Sequence, residues 1–101
     1  MSLDLEVGRG ARAKAILESD LYREAVAKVQ ADIFDCFAKT DPANLEELRI
    51  QRIRLKCLAD INRELATVMN TGKLAEAEIK QKQGLAQRMK ERAAKGIRAV
   101  F

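Results

Sequence analysis

The chain has 101 residues and therefore forms at most one small domain. Hydrophobic residues make up 48% of it, but 16 of them are alanine, and aromatic residues reach only 4%. Histidine is absent, which removes the commonest general base and metal ligand, and no run approaches the roughly 20 apolar residues of a membrane span. We therefore expect a non-enzymatic protein with no cofactor, no metal ion, no small-molecule substrate and no membrane partner.

The net charge of +4 is unevenly distributed along the chain. Residues 80–101 hold seven basic residues and one acid, a net charge of +6, whereas residues 1–79 carry a net charge of −2. The basic surplus therefore belongs to the C-terminal end.

The N-terminal ten residues contain Gly8 and Gly10 and show no helical period, which predicts an extended arm over residues 1–10. Residues 11–18 are predicted to form a short helix. Ser19 is a suitable N-cap for a second helix that runs to about Lys39. Its apolar residues follow a helical period: Tyr22, Val26, Val29, Ile33 and Phe37, with Phe34 and Cys36 widening the stripe.

A short turn at Thr40-Asp41-Pro42 separates this helix from the next one. Asp41 is predicted to be the N-cap and Pro42 to lie in the first turn of the following helix. So short a connection favours two antiparallel neighbours. The following helix is predicted from Asn44 to Thr71, with one broad apolar stripe: Leu45, Leu48, Ile53, Cys57, Leu58, Ile61, Leu65 and Val68.

This long helix extends beyond its predicted partner by about two turns, since the two helices measure roughly 40 Å and 30 Å. The first helix, the last helix or another subunit must cover the excess. Three residues, Ile50, Leu55 and Met69, fall off the main stripe and predict a second contact face. The candidate subunit contacts are Ile50, Leu55, Leu65, Val68, Met69, Ile97, Val100 and Phe101.

Asn70-Thr71-Gly72 predicts a left-handed helix stop. A basic helix then runs to about Lys95, followed by an apolar tail. The predicted fold is all-α: an antiparallel helical hairpin (residues 11–71) with a short N-terminal helix, and a basic C-terminal helix with its tail (residues 72–101), in an oligomeric protein.

The two cysteines, Cys36 and Cys57, lack metal-site spacing. In the predicted hairpin they lie roughly 18 Å apart, too far for a disulfide bond. We expect both to be small buried apolar residues.

Two basic rows are candidate contacts for an anionic partner. The first row lies early in the long helix, and two interpretations remain open: a solvated face paired with acids such as Glu46 and Asp60, or a contact with nucleic acid or an acidic protein. The second row lies in the last helix, and three interpretations remain open. It is a solvated or partner-docked face, a nucleic-acid contact or a membrane-surface contact. The rows are Arg49, Arg52 and Lys56, and Arg88, Arg92, Lys95 and Arg98.

Three short motifs carry a family resemblance. They are Leu17-Glu18-Ser19-Asp20-Leu21-Tyr22, Thr40-Asp41-Pro42 and Asn70-Thr71-Gly72-Lys73-Leu74-Ala75. Over roughly residues 16–75 the chain resembles small helical-hairpin proteins of tailed bacteriophages, although Asp20 stands where that group often has proline. Similar genes sit among phage head and DNA-packaging genes, and the group carries over no functional residues.

The resemblance implies a structural or assembly protein of the virion head or head–tail region, found in the virion and in the host cytoplasm during assembly. Its partners would be copies of itself or other virion proteins, and DNA is a further candidate. One alternative is a DNA-packaging accessory that binds nucleic acid, similar in role to a small terminase subunit. Another is an inhibitor that docks a helix face on a host protein.

Overall fold

The computed structural model describes residues 2–100, and it describes side chains for residues 2–95. Within this range the chain forms three α-helices and no strand. They are α1 (Leu3–Glu18), α2 (Asp20–Lys39) and α3 (Leu45–Val100). The all-α class predicted from the sequence is confirmed.

Helix α1 begins at Leu3, so the prediction of an extended arm over residues 1–10 is wrong. The Ser2 hydroxyl accepts a hydrogen bond from the Leu5 amide at 3.2 Å and caps the helix. Asp4 and Glu6 lie in the first turn, where negative charge is favourable. Gly8 lies within the helix, although glycine disfavours a helix interior.

Helix α2 has the bounds that the sequence predicts. The Ser19 hydroxyl accepts a hydrogen bond from the Tyr22 amide at 3.3 Å, and the extended backbone of Ser19 also ends α1. At the other end, the Thr40 amide bonds back to the carbonyl oxygens of Cys36 and Phe37. Both ends of α2 are therefore fixed by local hydrogen bonds.

The connection to α3 is longer than predicted. Asp41 does not cap α3, because its carboxylate accepts a hydrogen bond from the Ala43 amide at 2.8 Å within the turn. Asn44 is the cap, accepting a hydrogen bond from the Glu47 amide at 3.2 Å. Pro42 accordingly lies in the turn and not in the first turn of α3.

Helix α3 passes through Gly72 without interruption, so the predicted stop at residues 70–72 is wrong. No glycine in the described chain has a positive φ angle. Gly72 serves a close helix crossing: a Cβ added to it would lie 2.7 Å from the Cα of Gly10 and 3.0 Å from the carbonyl oxygen of Glu6. The absence of a side chain at this position lets α1 approach α3 closely.

Both shorter helices pack on α3, and α1 makes the more extensive contact. Gly10 of α1 meets Gly72, and the Tyr22 hydroxyl of α2 donates a hydrogen bond to the Asn62 side-chain oxygen. The covered positions of α3 step by three and four residues, the period of paired helices. They are Leu48, Gln51, Leu55, Leu58, Asn62, Leu65, Met69 and Gly72, all buried or half-buried.

The predicted apolar stripe of α3 is covered only in part: Leu48, Leu58, Leu65 and Val68 are half-buried. Leu55 and Met69, expected on a second contact face, lie in this covered row and are half-buried. Ile53, Cys57 and Ile61, expected on the covered stripe, are exposed. The buried stripe is therefore rotated relative to the apolar pattern of the sequence.

Two polar residues explain the rotation. Gln51 is only 3% exposed, and its amide group bonds to the Glu47 carboxylate at 2.7 Å and to the Arg54 guanidinium at 2.8 Å. Asn62 accepts the hydrogen bond from Tyr22. Because a polar side chain with bonded partners costs little to bury, both residues occupy positions that hydrophobicity alone assigns elsewhere.

The molecule is elongated, measuring 88 × 25 × 18 Å, with a radius of gyration of 24.2 Å. The 56 residues of α3 account for its length, since a helix of that size spans about 84 Å. Only three hydrophobic side chains in the described range are buried: Ala13, Ile33 and Ala75. The chain therefore has a thin apolar interior.

Candidate interaction surfaces

The segment of α3 beyond the α1 contact is the first candidate surface. The last buried residue of α3 is Ala75, and Ile79 is half-buried. We call residues 80–100 the extension. From Lys80 to Lys95 every residue except Gly84, which is half-buried, is exposed. The extension is thus a single helix to which α1 and α2 contribute no covering side.

The cations of the extension differ in their partners. Lys80 pairs with Glu76 and Lys82 with Glu78, each at 3.3 Å. Arg88 bonds only to the backbone oxygen of Gly84, at 3.4 Å. No described carboxylate pairs with the remaining cations, Lys90, Arg92 and Lys95.

The predicted row of Arg88, Arg92 and Lys95 is exposed as one side of a helix, at spacings of four and three residues. Leu85 and Met89 lie beside it and are 55% and 62% exposed. The row therefore combines cations with unpartnered apolar side chains. The side chain of Arg98 lies outside the described residues.

The first basic row, Arg49, Arg52 and Lys56, is also exposed. The acids named as its candidate partners do not pair with it in the described structure, because Asp60 pairs with Arg63. Glu46 forms no described ion pair. The row faces solvent, as either of its two interpretations requires.

The predicted subunit contacts fall into three groups. Leu65, Val68 and Met69 line the clefts against α1, so this chain itself covers the part of α3 that extends beyond α2. Leu55 lies in the covered row, whereas Ile50 is 43% exposed and remains available. The side chains of Ile97, Val100 and Phe101 lie outside the described residues.

A surface that the sequence reading missed lies on the outer side of α2. Phe34, expected to widen the buried stripe, is 53% exposed. It belongs to a row with three alanines, Ala27, Ala31 and Ala38, all exposed and spaced by four, three and four residues. The heptad spacing of this row was the signal that could have revealed it.

The two cysteines are free, as predicted. Cys36 is half-buried, but Cys57 is exposed, so the prediction that both are buried is wrong for Cys57. The rotated phase of α3 places Cys57 outside the covered row.

Within the described residues, one ion pair shifts a pKa. The Asp35 carboxylate, 2.8 Å from Lys39, accepts its hydrogen bond and raises the pKa of Lys39.

No group of three or more His, Cys, Asp or Glu residues in residues 2–95 is arranged to hold a metal ion. One groove of about 500 Å³ is lined by residues of α3 alone and is an open helix flank. No helix in the described range has both the length and the apolar character to span a membrane.

No protein-family model, curated protein sequence or solved structure matches this chain.

Proposed function

We propose that this protein is a non-enzymatic assembly protein that acts through helix-mediated contacts with copies of itself or with other proteins. The observation that carries the proposal is the extension, a bare helix with exposed Leu85 and Met89 beyond the reach of α1. An amphipathic helix gains stability by burying its apolar side, and no side chain among residues 2–95 covers this one.

The arrangement of the helices supports the same proposal. Gly10 lies against Gly72, and Tyr22 bonds to Asn62. From α1 to α2 the residue number increases, while the number of the contacted residue on α3 decreases. These pairs favour an antiparallel hairpin in which α1 and α2 together lie along one long helix. Such a rod, with so little buried apolar area, favours oligomerisation.

We further propose that the protein works in a tailed-bacteriophage particle, in the head or head–tail region, with assembly in the host cytoplasm. The support is the resemblance at the Ser19 cap and at the turn of Thr40-Asp41-Pro42. The third motif, at residues 70–75, is part of a continuous helix and not of a turn. It gives the resemblance less support than the sequence suggested.

Mass spectrometry of purified virions tests the setting. We expect the chain at a stoichiometry of several copies per particle after separation from lysate proteins on a density gradient. Its presence in the infected lysate together with its absence from gradient-purified particles would contradict a place in the virion.

A second candidate function is a DNA-packaging accessory that contacts nucleic acid. It is favoured by one observation, the exposed row Arg88, Arg92 and Lys95, which no described carboxylate neutralises. Cations at this spacing can follow a phosphate backbone, and the contact would be insensitive to sequence because no aromatic side chain is interleaved for base stacking.

Titration of duplex DNA at several salt concentrations tests the second candidate. Replacing Arg88, Arg92 and Lys95 by Gln should weaken binding and reduce the magnitude of the logarithmic salt slope by about 3. The matched variant removes the same charge from the other row, at Arg49, Arg52 and Lys56. Equal binding by the wild-type chain and by a chain ending at Ile79 would exclude a role for the extension.

A further inference from the structure

The outer side of α2 has the form of a second helix-pairing surface. Six exposed residues form a row on this side, separated by four, three, four, three and four positions. They are Asp20, Glu24, Ala27, Ala31, Phe34 and Ala38. The opposite side of α2 is used by α3, where Ile33 is 1% exposed. The row thus keeps heptad spacing, and no residue in the described part of the chain covers it.

The composition of this outer row suits close packing by another helix. The alanines let a second backbone approach, and Phe34, 53% exposed, supplies one large apolar side chain. Its two acids lie at the N-terminal end of α2, and neither forms a described ion pair. The surface is therefore apolar at one end and negative at the other.

The extension has the complementary distribution. Lys80 and Lys82, at its start, are already paired with acids of α3. The apolar side chains Leu85 and Met89 follow, with Arg88 between them, and the cations Arg92 and Lys95 lie further towards the C-terminus. Placed in the opposite direction along α2, Leu85 falls near Phe34 while Lys95 falls near Glu24. The lengths also agree, because the row from residue 20 to 38 spans about 27 Å and the 21 residues of the extension about 30 Å.

The extension cannot reach α2 of its own chain. The Tyr22–Asn62 hydrogen bond places the start of α2 beside residue 62, and the rest of α2 lies further towards the N-terminus of α3. Residue 80 is 18 positions beyond residue 62 on an uninterrupted helix, about 27 Å away. The helix that fits the outer row must therefore come from a second copy.

We infer that the extension of one copy lies antiparallel on the outer side of α2 of the next copy. The inference deepens the proposed function and rests on it, since it assigns the surface through which copies associate. The two surfaces are different, so the contact is head-to-tail and builds rings or filaments.

Charge exchange between the two surfaces tests the contact. Sedimentation velocity at low salt should show that Glu24→Lys alone and Lys95→Glu alone each weaken association about tenfold, because each places like charges together. An equimolar mixture of the two variants should recover wild-type association, since in alternating copies every contact again joins a Lys to a Glu. Glu64→Lys and Lys73→Glu are matched controls that make the same charge changes on α3 outside both surfaces, and they should leave association unchanged.

A second variant probes the apolar end. Phe34→Ser should weaken association while circular dichroism and the unfolding midpoint stay near those of the wild type, because the ring is exposed in the single chain. Wild-type chains that associate, with both charge variants equally tight and no gain on mixing, would overturn this contact and leave the proposed function standing. Wild-type chains that stay monomeric at every concentration would overturn both the contact and the self-association part of the proposed function.

Discussion

Gly10 and Gly72 lie where α1 and α3 cross with their backbones close together. A Cβ on Gly10 would lie 2.7 Å from the Cα of Gly72 and 3.2 Å from the carbonyl oxygen of Val68. Both of these neighbours are backbone atoms, which move only if the helix moves. The two glycines thus give up helix propensity of about 1 kcal/mol each in return for close packing.

Alanine at Gly10 should therefore destabilise the fold, although it is the better helix former. We expect the free energy of unfolding to fall by about 1–3 kcal/mol, the usual cost of overpacking. Gly8→Ala is the matched control in the same helix, because a Cβ there meets nothing within 4 Å. It should stabilise by about 0.5–1 kcal/mol. Chemical denaturation of the two variants measures the contrast, and equal effects of the same sign would contradict the close crossing.

The covered row of α3 includes the polar residues Gln51 and Asn62. The hydrogen bond between Tyr22 and Asn62 crosses from α2 to α3 and fixes their relative position. Sequence patterns of apolar residues could not reveal it, since the partners are 40 positions apart. This is why the predicted stripe on α3 holds only in part: Leu48, Leu58, Leu65 and Val68 are half-buried, whereas Ile53, Cys57 and Ile61 are exposed.

Tyr22→Phe should remove this bond without changing the apolar packing of the ring. We expect a loss of about 0.5–1.5 kcal/mol in the free energy of unfolding. A double variant with Asn62→Ala should cost less than the sum of the two single substitutions, because they share one interaction. Strict additivity in the double-mutant cycle would argue against the bond.

At the scale of elements, local signals predicted what local hydrogen bonds determine. Helix α2 is delimited by Ser19 and Thr40, each of which forms a hydrogen bond with a residue three or four positions away. The sequence predicts both ends. The glycines at 10 and 72 resemble local helix breakers but serve a tertiary crossing, so the start of α1 and the continuity of α3 were missed. The outer row of α2 was missed for a related reason, since a single apolar stripe was assumed where the helix carries two.

Ser19 joins α1 to α2, ending one helix and capping the next. Ser19→Ala should lower the free energy of unfolding by about 1 kcal/mol, the usual cost of a lost N-cap. Ser19→Asp keeps an accepting oxygen and should retain most of the stability. Thermal unfolding followed by circular dichroism distinguishes the two, and an unchanged midpoint for Ser19→Ala would contradict a capping role.

At the scale of the whole molecule, shape and burial lead to the same conclusion. A compact chain of this length would have a radius of gyration of about 13 Å, whereas this one measures 24.2 Å. An 88 Å rod with three buried hydrophobic residues in its described part leaves much apolar surface in water. The outer row of α2 and the extension are two of the places where that surface recurs at helical spacing, and the exposed side of α3 at Ile50, Ile53 and Ile61 is another.

If this chain works by associating through its helices, its molar mass in solution must exceed the mass of one chain. Multi-angle light scattering across micromolar concentrations should give a weight-average mass above the 11.3 kDa of one chain, rising with concentration. A chain ending at Ile79 should lose most of this increase. A wild-type mass of 11.3 kDa that stays constant over the whole concentration range would contradict association through the helices.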